Sequence, residues 1–181
     1  MQEYSYELRI PKERIAILIG KKGKIKKQIE SATKTNIKVD SKEGDITITG
    51  TDALGLFNAR EVIKAIGRGF NPEIALLMLK GDYLFETLNI ADYAKNKEVE
   101  KRLKGRIIGR EGKSRKIIEE LTETYISVYG KTVSIIGLPE NISDARKALE
   151  MLLKGSSHGN VFKYLEKRRR ELKKKEITGE V

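Results

Sequence analysis

Two short turns, each bounded by glycines and crowded with cations, hold the residues in this sequence that could do chemistry. The first is Gly20-Lys21-Lys22-Gly23, followed by Lys24, Lys26 and Lys27; the second is Gly109-Arg110-Glu111-Gly112, preceded by Arg106 and followed by Lys113, Arg115 and Lys116. A GxxG turn lets the backbone approach a ligand with no Cβ in the way. Placed ahead of a helix, it also aims free N–H groups at the ligand, where the helix dipole favours phosphate. The cations add mobile charge at the same point. One GxxG means little, since about one is expected by chance at ordinary glycine usage in a chain of this length. Here the turn sits inside a repeat. Residues 19–30 return 89 positions later as residues 108–119 with seven of twelve identical, and Thr33, Thr35, Ile37 and Val39 match Thr122, Thr124, Ile126 and Val128 at the same offset.

The remaining chemistry is thin. With no cysteine, the sequence has no disulfide, thiolate zinc site or cysteine nucleophile, and a reducing, cytoplasmic setting is expected. Gly112-Lys113-Ser114 imitates the end of a P-loop, but Ile107 stands where the loop needs its first glycine, and Gly67-Arg68-Gly69 is followed by Pro72 where a dinucleotide fingerprint needs glycine. His158 is the single histidine, and Asp40, Asp45, Asp52, Asp82, Asp92 and Asp144 are scattered without two-metal spacing. No catalytic residue, cofactor, metal or small-molecule substrate is therefore expected. The balance of 37 Lys plus Arg against 26 Asp plus Glu, a net charge of +11, makes nucleic acid the leading partner class. A membrane surface needs a broad apolar helix face, whereas the longest apolar run, Ile74 to Leu79, is six residues. The opening residues lack the basic and apolar regions of a signal peptide. A charged fraction of 35%, against about 25% in ordinary domains, suggests a thermophile.

The elements around each turn follow the same plan. Tyr4, Tyr6, Leu8 and Ile10 alternate as a half-buried strand that Pro11 closes, and a short helix over 12–19 leads into the first turn. Ile25, Ile29 and Ala32 fall on one face of a helix over 24–34. Ile37 with Val39 and Ile46 with Ile48 make a hairpin, and Leu56, Ala59, Ile63 and Ile66 mark a longer helix. The order is β-α-α-β-β-α. The second copy repeats it with a strand over 84–90, a helix over 98–108, a second helix that carries Ile117, Ile118 and Leu121 inward, strands at Ile126/Val128 and Val133/Ile135, and a helix opened by Pro139. The expected organisation is a first domain over 1–68, a linker with a short helix over 69–82, a second domain over 83–155 and a basic helix over 156–181. In that last helix Lys163 to Lys175 carries eight cations against Glu166 and Glu171. Docking through Val161, Phe162 and Leu165 would leave Arg168, Arg169, Arg170, Lys173, Lys174 and Lys175 free to hold phosphates. Tyr125 and Tyr129 could stack on bases.

These residues resemble the type I KH domain in both copies, an α+β fold. The pattern I-G-x-x-G-x-x-I-x-x-I-x-x-x-T-G-x-x-I-x-V is met at Ile19, Gly20, Gly23, Ile29, Thr33, Ile37 and Val39, and again at Ile108, Gly109, Gly112, Ile118, Thr122, Ile126 and Val128. It is broken at Lys26 and Arg115, where the family has an apolar groove residue, and at Lys34 and Glu123, where it has glycine. Leu79-Lys80-Gly81-Asp82, Gly105 to Ser114, and Leu152-Leu153-Lys154-Gly155 with Gly159-Asn160-Val161 are similar to the archaeal two-KH relatives of the ribosome-assembly factor called partner of Nob one. That resemblance implies two tandem KH domains that bind single-stranded small-subunit (16S) rRNA near its 3′ end during pre-rRNA maturation, beside the Nob-type endonuclease that trims it. The alternatives are a KH-type RNA-binding subunit in another route, such as an exosome cap or translation factor, and a non-catalytic protein-interaction module.

Overall fold

The computed structural model describes residues 3–179; the outermost residues of the first and last expected segments lie outside them. It divides into two units, 1–85 and 86–181.

In the first unit β1 (Tyr4–Arg9) ends before Pro11, α1 (Lys12–Ile19) runs into a turn of 3-10 helix (Lys21–Gly23), and α2 (Lys24–Thr33) leads to β2 (Thr35–Val39), β3 (Asp45–Gly50) and α3 (Ala53–Gly67). The strands form an antiparallel sheet in the order β1-β3-β2, with Tyr6 opposite Ile48 and Ile37 opposite Ile48 on the other side. Alternation leaves β1 only half-buried at Tyr6 and Leu8. Ile37, Ile46 and Ile48 turn inward against Leu18, Ile29, Ile63 and Ile66, all almost completely buried. Asp52 starts α3 by accepting from the N–H groups of Leu54 and Gly55. A short α4 (Pro72–Ala75) and a 3-10 segment (Leu76–Lys80) follow.

The boundary falls within β4 (Leu84–Asn89), and from that strand the second unit repeats the order with α5 (Lys97–Ile108), a 3-10 turn (Arg110–Gly112), α6 (Lys113–Thr122), β5 (Tyr125–Tyr129), β6 (Thr132–Gly137) and α7 (Pro139–Leu153), and its sheet order is β4-β6-β5. Asn96 caps α5 by accepting from Val99 N–H at 2.9 Å. Ile107, Ile118, Ile135 and Leu149 are fully buried at its centre. In both copies the residue ending the second helix is left-handed: Lys34 and Glu123 have φ of +53°. The backbone that favours glycine at this point is kept without glycine, as the left-handed C-cap of the helix.

The last helix, α8 (His158–Thr178), corrects one expectation. It packs on α6 and α7 as part of the second unit, burying Val161 and Leu165. Arg168 is not free. Its Nε donates to Asp144 Oδ1 at 3.0 Å, alongside the Tyr164 hydroxyl at 3.0 Å, and it also reaches Glu171 Oε2 at 2.8 Å. Asp144 lies within α7 and is 7% exposed, and a carboxylate so buried needs partners. Burial and this hydrogen bond push the Tyr164 phenol up to about 12.

Candidate nucleic-acid interface

Each turn is set by its first glycine. Gly20 has φ 71° and ψ 176°, and Gly109 has φ 72° and ψ 175°, a region open essentially to glycine alone. Space imposes the same choice: a Cβ on Gly20 would lie 2.5 Å from Ile25 Cγ1, and one on Gly109 would lie 2.6 Å from Ser114 Cβ and 2.7 Å from Ser114 N. The helix after the turn thus stacks directly on the glycine, which fixes where its first N–H groups point. Lys22 and Glu111, the second x of each turn, are left-handed at φ +53° and +54°. The two turns match within a few degrees although their side chains differ in charge.

Lys21, Lys22, Lys24 and Lys27 are exposed around the first turn, as are Arg110, Glu111, Lys113 and Lys116 around the second. Lys26 and Arg115 stand apart from them. Both are half-buried, and each faces a glutamate one turn along its helix, Lys26 Nζ to Glu30 Oε1 at 3.0 Å and Arg115 Nε to Glu119 Oε2 at 3.7 Å. The glutamates bridge helix to strand: Glu30 Oε1 accepts from Ile37 N–H at 2.8 Å and Glu119 Oε1 from Ile126 N–H at 2.7 Å. These acids are functional candidates that the sequence reading passed over. The signal was there, in an acid four residues after a cation at the same place in both copies. Burial raises the Glu119 carboxyl above its ordinary range, opposed by the Ile126 N–H and the nearby cations.

Arg106 is not gathered to the turn. It is half-buried, its guanidinium donates to the Ser156 carbonyl, and its own carbonyl accepts from His158 Nε2 at 2.8 Å. It ties the end of α5 to the start of α8. Tyr125 is exposed, whereas Tyr129 is half-buried. Paired threonines stiffen each corner between helix and strand: Thr33 Oγ1 donates to Ile29 O and meets Thr35 Oγ1 at 2.7 Å, and Thr122 Oγ1 donates to Ile118 O and meets Thr124 Oγ1 at 2.8 Å. Among the described residues no group of three His, Asp or Glu side chains could hold a metal ion, and no helix is long and apolar enough to cross a membrane.

Each unit therefore presents a cation-ringed turn ahead of a helix, α2 or α6, that a glutamate bridges to an edge strand, β2 or β5. This suits a single strand held by its backbone, with a groove for its bases between that helix and that strand.

Comparison with known proteins agrees. Residues 84–170 match the model of the eukaryotic type KH-domain (KH-domain type I), and residues 5–65 match that of the KH domain; neither indicates a catalytic family. A KH domain-containing protein of Methanocaldococcus jannaschii is 48% identical over 178 residues, 96% of this chain and 78% of that protein. The crystal structure of Dim2p from Pyrococcus horikoshii is 48% identical with a TM-score of 0.84, covering 91% of this chain and 99% of that one. The same organism's a/eIF2alpha-aDim2p-rRNA complex includes a chain 47% identical with a TM-score of 0.87, covering 93% and 96%.

Proposed function

The chain belongs to the RNA-binding family of two-KH-domain proteins of the Dim2p type, and from that premise we propose that it binds single-stranded small-subunit rRNA near its 3′ end during ribosome biogenesis, without chemistry of its own. The observation that carries this reading is the pair of turns with matching backbone torsions, each with a glycine-only entry and a ring of exposed cations. Gly20, Lys21, Lys22, Gly23, Lys24 and Lys27 hold phosphates in the first unit; Gly109, Arg110, Gly112, Lys113 and Lys116 do so in the second. Support also comes from the Pyrococcus relative, whose complex contains rRNA. A Nob-type endonuclease is the expected protein partner, and the cytoplasm the expected setting. Crosslinking the full chain to native RNA, followed by sequencing, tests the proposal. Reads concentrated at the 3′ end of small-subunit rRNA are expected; reads spread over unrelated transcripts would reject it.

The a/eIF2alpha in that relative's complex favours a second reading, an additional contact with a translation-initiation subunit. Pull-down of such a subunit that survives RNase treatment would support it.

A further inference from the structure

The two grooves are built alike but are not equally satisfied. In the second unit β5 is an edge strand, paired with β6 on one side through Ile126 opposite Ile135. The Ile126 N–H donates to Glu119 Oε1 at 2.7 Å, so it points off the sheet towards α6. Glu119 therefore has one oxygen committed. The other, Oε2, lies 3.7 Å from Arg115 Nε, too far for a hydrogen bond. Arg115 Nε is itself screened from solvent and lacks a hydrogen-bond partner among the described residues, although the side chain as a whole keeps 38% of its surface. A guanidinium with spare donors thus sits beside a carboxylate with one spare acceptor. In the first unit the corresponding cation is an ammonium with no planar fork, and Lys26 donates to the same Glu30 oxygen that accepts from Ile37.

We propose that Arg115 and Glu119 read one base of the bound strand, and that the base is cytosine. The assignment rests on the RNA-binding reading of the second unit and follows from donor and acceptor order. Along one edge cytosine presents an amino donor and then two adjacent acceptors, N4–H, N3 and O2. The amino group meets Glu119 Oε2, and the guanidinium fork meets N3 and O2. Guanine presents two adjacent donors on its Watson–Crick edge and there needs two carboxylate oxygens, of which one is held by Ile126; on its N7/O6 edge it gives the fork two acceptors but brings no amino group to Glu119 Oε2. Adenine offers a single acceptor beside its amino group on either edge. Uracil places its donor between its acceptors, so it opposes the fork with an N–H and the carboxylate with an oxygen. Where the family pattern has an apolar residue, this chain has placed a base reader.

Glu119→Gln separates this role from a structural one. The amide oxygen can keep the Ile126 bond while the amide nitrogen replaces the free acceptor with a donor. The experiment selects RNA from a randomised single-stranded pool with the full chain, then measures dissociation constants for hexamers changed at one position. Wild type is expected to require cytosine at one position, with uracil there about tenfold weaker. In Glu119→Gln cytosine and uracil should approach parity, and Arg115→Met should lose the same discrimination, with circular dichroism unchanged. Tight binding by wild type with no cytosine position, or an unaltered cytosine preference in Glu119→Gln, overturns this assignment alone. A wild type that binds no single-stranded RNA overturns the functional reading and this assignment with it.

Discussion

Replacing Gly109 by alanine puts the turn geometry to a quantitative test. At φ 72° and ψ 175° an alanine is strained, at a cost of about 1–3 kcal/mol. Its Cβ would also meet Ser114 Cβ at 2.6 Å and Ser114 N at 2.7 Å. Ser114 belongs to the first turn of α6, and α6 is anchored by the fully buried Ile118. Pushing that turn outward costs about another 1–3 kcal/mol, as overpacking does in other cores. The sum, about 2–6 kcal/mol, is a large share of the 5–15 kcal/mol that typically holds a domain together. Gly112 is the internal control. It is left-handed at φ 74° and ψ 12° with nothing within 4 Å of an added Cβ, so alanine there should cost only about 1–2 kcal/mol. Urea unfolding followed by circular dichroism reads both. With an m-value of roughly 2 kcal/mol per molar, Gly109→Ala should lower the midpoint of the second unit by about 1–3 M, and Gly112→Ala by less than about 1 M. A Gly109→Ala transition indistinguishable from wild type would refute the argument that this glycine is required by both torsion and contact.

Thr122→Val should destabilise the second unit by about 1–3 kcal/mol, because it leaves the buried Thr124 hydroxyl without its partner, while the double change Thr122→Val/Thr124→Val should cost less than the single one by the same unfolding assay. The Tyr164 phenol is raised to about 12, so the folded state holds its proton when the unfolded state loses it near 10. Its contribution to stability is therefore fully present below about pH 10 and is lost as pH rises through about 12. Phenolate absorbance should show one late-titrating tyrosine that Tyr164→Phe removes, and the variant should lose less stability over that interval. Replacing Lys173, Lys174 and Lys175 by glutamine, which spares the Arg168–Asp144 contact, should weaken binding to related and unrelated RNA alike. It should flatten the slope of log affinity on log salt by roughly 0.7 for each phosphate that is no longer neutralised, and an unchanged slope would take these lysines out of the RNA path.

The repeat made most of the fold legible, because its apolar spacing changes from strand to helix period at the same places in both copies. Local pattern was enough for the turns: a glycine pair between two amphipathic helices has few other geometries. Long-range pairing was not visible in it. Arg168 looked like one cation of a run, yet its partner Asp144 is 24 residues away in another helix. Arg106 looked like part of the phosphate ring, but the chain returns at Ser156 to take its guanidinium. Glu30 and Glu119 were hidden differently. Their spacing from Lys26 and Arg115 reads as an ordinary surface ion pair, and only the fold shows that they bridge a helix to an edge strand through Ile37 and Ile126. Lys34 and Glu123 broke a glycine consensus, and the helix end held its left-handed form without it.

The central claim is that a single RNA strand is held at the two turns. Its most direct measurement is fluorescence anisotropy of a labelled oligonucleotide with the sequence of the small-subunit rRNA 3′ end, titrated with wild type and with a variant carrying Lys21→Asp, Lys22→Asp, Arg110→Asp and Glu111→Asp. These four positions are exposed and lie outside the core, so the variant should keep its circular dichroism. The account predicts tight binding of the single strand by wild type, weaker binding of the same sequence as a duplex, and a loss of about thirtyfold or more in the variant, on the order of 1–3 kcal/mol for each turn. Equal affinity of wild type and variant for the single strand would contradict it.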